Sequence, residues 1–369
     1  MSLAESRAVV EWGALWTRVL AAGSDRVEVR SSPAALAMGD PLAVVVPDRW
    51  LDGSPRGVLQ HESFRRELAA FSELRWYGRS PAAAALAAQG RGSGTYFVCD
   101  LGWSGASFGL CEVERRSIRV LATAFEPRAG GGAYAQSVTE GMPTQVRERF
   151  AEVQASKAAR ARAVLPRATG EHLDDPVYTF DSGFEITAGR LLERFGPVAE
   201  VLGERIRELD WTFDTCVLSG GFGEFPLVET VLPEHVRLGP EAAVRGGALL
   251  DSGVFGMAPP AQVEVRLPVH RVRNGLLEDA DVLLTPGPGN FATLEQERLV
   301  VNAAPNGRLT VTMNGRLGEL PIAQIAPALS VDACQVGLRA SLDGPAALLL
   351  VPASGGEPAV VPLDGWEPA

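Results

Sequence analysis

Residues 95 to 113, TYFVCDLGWSGASFGLCEV, constrain this chain more than any other stretch: an apolar β-type run ends in Asp100, turns through Gly102, and resumes as a second apolar run. An aspartate at the end of a buried strand, followed by a glycine turn, can hold a hydrated divalent cation while the turn's amides cradle phosphate oxygens. Asp100 is therefore the candidate metal ligand, and Asp100 and Gly102 are candidate nucleotide contacts. VVEWGALWTRV repeats the arrangement with Glu11 and Gly13, so two acidic strand ends can face one site. VLSGGFGEFP then reads as strand, glycine turn, helix. There Gly220, Gly221 and Gly223 let main chain approach a ligand closely, and a helix from near Pro226 offers free amide donors. Taken singly, each acid is more simply a turn residue, and the glycine loop is equally a packing connection.

The length of 369 residues calls for two or three units at about 150 residues each. With 46% hydrophobic and 21% charged residues the chain reads as folded rather than disordered. A net charge of -11 works against nucleic acid, whose affinity comes from neutralised phosphates. The sequence shows no apolar run of membrane-spanning length and no signal-peptide opening, so the expectation is a soluble, cytoplasmic protein without a membrane partner. Cys99, Cys111, Cys216 and Cys334 lack CxxC spacing and sit in apolar runs, which predicts buried reduced thiols. His61, His172, His235 and His270 each stand alone, which argues against a zinc site. Lys157 is the one lysine among 34 basic residues.

The pattern predicts a strand hairpin over RAVVEWGALWTRVLAAG and a strand closed by Pro47. A helix follows whose apolar face is Phe64, Leu68, Phe71 and Leu74. RSPAAAALAAQGRG predicts a helix with Ser80 as N-cap, Pro81 at its first position and Gly90 as its stop. Residues 95 to 124 read as an antiparallel meander ended by Gly130 to Gly132. Helices are expected from Gln145 to Val164 and from Thr187, the latter bent or interrupted at Gly196 and Pro197, and again over PEAAVRGGALLDSG. Beyond APPAQ, the pairs Asn274-Gly275, Asn306-Gly307, Asn314-Gly315 and Asp343-Gly344 mark hairpin turns of a separate β-sandwich or small barrel. No internal sequence repeat is visible.

In this order, these stretches resemble the seventy-kilodalton heat-shock chaperones of the DnaK type, members of the actin-like ATPase superfamily. VVEWGALWTRV is similar to their first phosphate hairpin, VVVPDRW to the next strand, and SPAAAALAA to the connecting helix. DLGWSGASFGL is similar to the second hairpin, RAGGGAY to the later Gly-Gly loop, and VLSGGFGEFP with EAAVRGGALL to the adenosine motif and final helix. The resemblance covers about residues 8 to 255. It implies an α/β actin-like ATPase fold of two lobes over residues 1–257, followed by an all-β sandwich over 258–369. VGLRASLDGPAALLLVPAS best matches the family's peptide-binding domain, and no helical lid is expected.

The departures fall on the reactive positions. The first hairpin has Glu11 for the usual Asp and Ala14 and Leu15 for paired threonines. The second has Trp103, Ser104 and Gly105 for Gly-Gly-Thr, and Ser107 for a later aspartate. Ser80 stands where the family places a glutamate, and residues 14 to 46 hold no lysine. An indole at 103 fills ligand volume unless its ring points outward. In the helix around SKAARARAVLP, Arg160 and Arg162 are the candidates for adenine stacking beside the plainer reading of a solvated face. Phosphoryl transfer is positioning and charge stabilisation, so these losses together predict a pseudo-ATPase. The expected protein is a peptide- or protein-binding scaffold or chaperone with weak or absent ATPase activity. The implied cofactors, ATP or ADP with magnesium, are weakened by the same departures. The alternatives are an ATP-dependent chaperone retaining Glu11, Asp100 and the adenosine loop, and a sugar-kinase-like enzyme of the superfamily.

Overall fold

A computed structural model describes residues 7–14, 16–30, 41–51, 55–258, 263–273, 276–286, 293–294, 299–301, 308–322, 333–339, 346–353 and 358–368. Leu15 and the pairs Asn274-Gly275, Asn306-Gly307 and Asp343-Gly344 lie outside the described residues. The chain folds as two compact units: Met1–Val46 with Glu73–Arg116 and Ala124–Phe255, and Pro47–Ser72 with Ser117–Thr123 and Gly256–Ala369. The division thus follows packing, and two inner stretches group with the C-terminal residues.

The first unit opens with the expected hairpin, β1 (Ala8–Trp12) and β2 (Thr17–Leu20), continued by β3 (Val27–Arg30). β4 (Leu42–Val46) lies parallel to β1; α1 (Pro55–Glu67) belongs to the second unit; β5 (Leu74–Gly78) lies parallel to β4. The predicted apolar helix face is correct at Phe64; Leu68 is buried too, but in the turn just after the helix ends at Glu67. Leu74 starts a strand, because its run LRWYG pairs parallel with the fully buried β4 at the end of the sheet.

Helix α2 (Arg79–Arg91) leads to the meander β6 (Gly94–Leu101) and β7 (Ala106–Glu114), then β8 (Ser117–Glu126). The N-cap of α2 is Gly78, and Ser80 lies inside the helix with its side chain packed against Gly109 on β7. The helix also runs through Gly90 and stops at Gly92, whose φ of 88° ends it. Helices α3 (Gly131–Val138), α4 (Thr144–Ser156) and α5 (Ala158–Val164), the small hairpin β9 (Pro176–Thr179) with β10 (Glu185–Thr187), and α6 (Ala188–Leu209) follow. The expected interruption of α6 is absent: it continues through Gly196 and Pro197, because Leu191, Phe195, Val198 and Leu202 bury one continuous stripe. β11 (Thr215–Ser219), β12 (His235–Gly239) and α7 (Ala242–Asp251) complete the unit. The expected helix near Pro226 is a five-residue 3-10 turn, Pro226–Thr230, too short to present a row of free amides.

One topology occurs twice. The first sheet contains the order β2-β1-β4-β5, and the second contains β7-β6-β11-β12. In each, the first pair is antiparallel and the later pairs are parallel. The repeat is one of topology, which a reading of residues alone did not reveal. Between the sheets run two small-residue helices: α7 sets Gly247 against Val9 and Val45, α2 sets Ser80 against Gly109, and Gly246 meets Ala82 where the helices cross. Cys99, Cys111 and Cys216 in this unit, and Cys334 in the other, are buried free thiols. Burial pushes the Cys99 thiol well up and that of Cys334 up to about 12.

The second unit contains the strand pair β13 (Gly256–Met257) with β8, and a ten-stranded sheet. Its strands are β14 (Val265–Arg273), β15 (Leu276–Leu284), β16 (Thr293–Leu294), β17 (Leu299–Val301), β18 (Arg308–Met313), β19 (Arg316–Pro321), β20 (Cys334–Arg339), β21 (Ala347–Pro352), β22 (Ala359–Pro362) and β23 (Glu367–Pro368). The expectation of an all-β C-terminal region is met, with one refinement. Two separate sheets do not form, because β14 bonds to β17 through Val269–Arg271 and to β18 through Val265 and Arg266. The sheet therefore curls around a core that includes Leu267, Val282, Leu309 and Leu350, and a smaller cluster, Leu349 and Val351, packs with Leu59. Asn314-Gly315 makes the expected tight turn, both residues having positive φ.

Replacing Gly246 by alanine drives a methyl group into the Ala82 carbonyl where the two helices cross. The expected loss is about 1–3 kcal/mol of stability, read by urea denaturation, whereas Gly90→Ala on open surface should be neutral or stabilising.

Candidate functional site

Both acids end the first strand of their sheet, and both are nearly inaccessible: Glu11 is 3% exposed and Asp100 is 2%. A pair of buried carboxylates demands countercharge. Arg79, 9% exposed at the first position of α2, supplies it. Its Nη1 donates to Asp100 Oδ2 at 3.0 Å, and its Nη2 donates to the Trp12 carbonyl at 2.5 Å and lies 3.3 Å from Glu11 Oε1. Arg18 on β2 stands directly opposite Glu11 in the hairpin register, and its Nη1 donates to Glu11 Oε2 at 3.2 Å. Ser219, paired with Asp100 across β6 and β11, donates its hydroxyl to Asp100 Oδ1 at 3.2 Å. Two carboxylates thus face two guanidinium groups, and the cluster is neutral without any added ion.

The candidate glycines surround this network. A carbon added at Gly13 would lie 3.8 Å from Arg79 Nη2, one at Gly102 would lie 3.8 Å from Arg79 Nη1, and one at Gly221 would lie 3.8 Å from Arg18 Nη2. Gly220 has φ of 87° and touches the Leu101 carbonyl and the Asp100 carboxylate, so a side chain there would meet both strain and collision. Gly223 stands apart, packed on the Leu218 side chain. The structure therefore gathers Glu11, Gly13, Asp100, Gly102, Gly220 and Gly221, and not Gly223.

A magnesium ion at Asp100 would share that carboxylate with a guanidinium nitrogen 3.0 Å away, like charge against like. With Arg79 so placed, these residues do not fit a divalent cation. Among the described residues no group of three or more His, Cys, Asp or Glu side chains has metal-binding proximity.

Trp103 is half-buried, with its ring over Gly132 and its carbonyl accepting from the Gly132 amide at 2.8 Å. The indole thus packs on the glycine loop rather than pointing freely outward. Ala14 is exposed in the first turn, and Ser107 is buried opposite Asp100. Arg160 donates through Nε to the Pro176 carbonyl at 2.9 Å, and Arg162 pairs with Glu224. Both are thereby engaged in tying α5 to β9 and to the turn at Glu224.

Sequence reasoning missed Arg79, Arg18 and Ser219. Arg18 was within reach, since counting the β1–β2 hairpin across its turn places it opposite Glu11. Arg79 was hidden by starting the helix at Ser80 and Pro81, which leaves the preceding residue as mere loop. No family model matches the chain, and no curated protein sequence matches it.

Arg79→Met leaves Asp100 buried without its countercharge, while Glu11 keeps Arg18, and is expected to cost about 3–5 kcal/mol in urea denaturation. Adding Asp100→Asn should recover part of that loss, because it removes the stranded charge; two strictly additive losses would contradict the network.

Proposed function

We propose that the chain is a compact, degenerate relative of the seventy-kilodalton heat-shock chaperones, whose actin-like first unit serves as a scaffold and whose β unit binds a protein or peptide. Three features support the actin-like reading: the doubled sheet topology, an acid followed by a glycine turn at the end of the first strand in each sheet, and paired small-residue helices between the sheets. The observation that carries the pseudo-ATPase reading is Arg79. Its guanidinium stands between Glu11 and Asp100, where the fold relation would require a hydrated cation and phosphate oxygens.

Nothing else in the cluster supplies the missing chemistry. Ser80 is packed against Gly109, leaving no room for the longer acid of the family, and Trp103 lies on the loop that would wrap phosphate. A triphosphate would add several negative charges beside two buried carboxylates already matched by two arginines. The scaffold therefore keeps the two sheets in register without a nucleotide. The β unit then carries recognition, by main-chain pairing along a sheet edge and by apolar side-chain contacts.

Isothermal calorimetry of the full chain with ATP and magnesium tests this directly. The expected result is binding weaker than about 1 mM and no phosphate release. Tight magnesium-dependent binding with turnover would overturn it. In Trp103→Gly the glycine loop is uncovered, and some nucleotide affinity should appear without hydrolysis; an unchanged titration would count against a blocking role for the indole.

A further inference from the structure

We infer that the outer edge of β15 is a docking edge for an extended, basic peptide segment, which would add to the sheet as a further strand. This deepens the scaffold reading above and depends on it for an extended partner. β15 pairs antiparallel with β14 over all nine residues, and among the described residues it has no strand on its other side. A long row of main-chain donors and acceptors is thereby presented. Natural edges are usually blunted by charged side chains, proline, a bulge or brevity. β15, LLEDADVLL, has no proline, bulge or brevity, its register with β14 is unbroken, and its protection is acidic charge alone.

Strand alternation sorts its side chains. Val282 and Leu284 enter the core, while Leu277, Asp279, Asp281 and Leu283 lie on the opposite, exposed face. Toward the turn the inward side opens as well: Leu276 is 69% exposed, beside Leu277 on the outer face at 62%. Leucine pairs at both ends thus bracket a central acidic stretch. Large exposed apolar residues grouped on one strand mark a contact surface more often than scattered ones do.

Charge selects the occupant. Every ionisable group on β15 is acidic, namely Glu278, Asp279 and Asp281. The neighbour it already has shows what suits it: on β14, Arg271 stands opposite Glu278, and His270 Nδ1 lies 2.8 Å from Asp279 Oδ1. Asp281 stands opposite Pro268, which offers no charge. A second copy of the chain is a poor partner, because antiparallel self-pairing centred on Ala280 would set Asp279 against Asp281 twice. The carboxylates thus guard the edge against its own kind and leave it open to a strand of alternating basic and aliphatic residues.

The test uses the full chain and a fluorescent nine-residue peptide alternating arginine and valine, followed by anisotropy. Binding is expected, weakened about tenfold or more by Asp279→Lys with Asp281→Lys, and lost when alternate peptide amides are N-methylated. The control pair Glu171→Lys with Asp174→Lys, exposed acids of the other unit, should leave affinity unchanged. Circular dichroism and melting confirm that the exposed substitutions leave the fold intact. If the β15 variant binds as tightly as the parent, or if both charge-reversal pairs weaken binding alike, the β15 assignment falls while peptide binding stands. If only an uncharged leucine-rich peptide binds, the basic partner is wrong and the scaffold reading survives. If no peptide binds, both fall.

Discussion

Arg79 is the group on which the first unit depends. Glu11 and Asp100 end the central strands of two different sheets, and burying two carboxylates there demands countercharge. One guanidinium reaches both, together with the Trp12 carbonyl, because its planar fork offers several donors in fixed directions. The first residue of α2 therefore ties the two sheets at their most costly point. Hydrophobic packing of α2 and α7 supplies the bulk of the cohesion, but packing is non-directional. The ion network specifies how the strand ends meet.

A tethered cation differs from a bound one in its thermodynamics. A metal ion or nucleotide stabilises a fold in proportion to its free concentration relative to its dissociation constant, and it leaves when that concentration falls. Arg79 is part of the chain, so its contribution is constant and reports nothing. A ligand can shift a protein between states only by binding one of them better. On the proposed reading, the first unit has exchanged that responsiveness for permanence. Recognition is then left to the β unit, where exposed backbone and side chains can still respond to a partner.

Much of this was legible in the residues, and the failures have physical causes. The two acid-glycine hairpins, the alanine-rich helix and the β-rich C-terminal region all follow from local periodicity and turn chemistry, and each stands where expected. Local signals failed where tertiary burial outweighed them. Pro197 was read as a bend or an interruption, yet the stripe through Phe195 and Val198 carries α6 past it without interruption. Ser80 had the chemistry of a cap, yet the close approach of α2 to Gly109 placed it inside the helix. Six of the seven candidate nucleotide residues converge because the hairpins do, whereas the group at their centre lay one residue outside the motif that was read. Convergence in space is what a single sequence conceals.

The near absence of lysine bears on the same point. A buried lysine can shed its proton when desolvation is severe, and it offers a compact charge rather than a fork. Arginine offers a planar fork of donors in fixed directions, which suits a network in which Arg79 and Arg18 meet two carboxylates. Lys157, by contrast, sits at the junction between α4 and α5, away from any buried acid network described here. On the proposed reading, the residue choice that removes the lysine chemistry expected of an ATPase is also the one that makes a permanent internal counterion feasible, and loss of catalysis and gain of a fixed scaffold are two consequences of one substitution pattern.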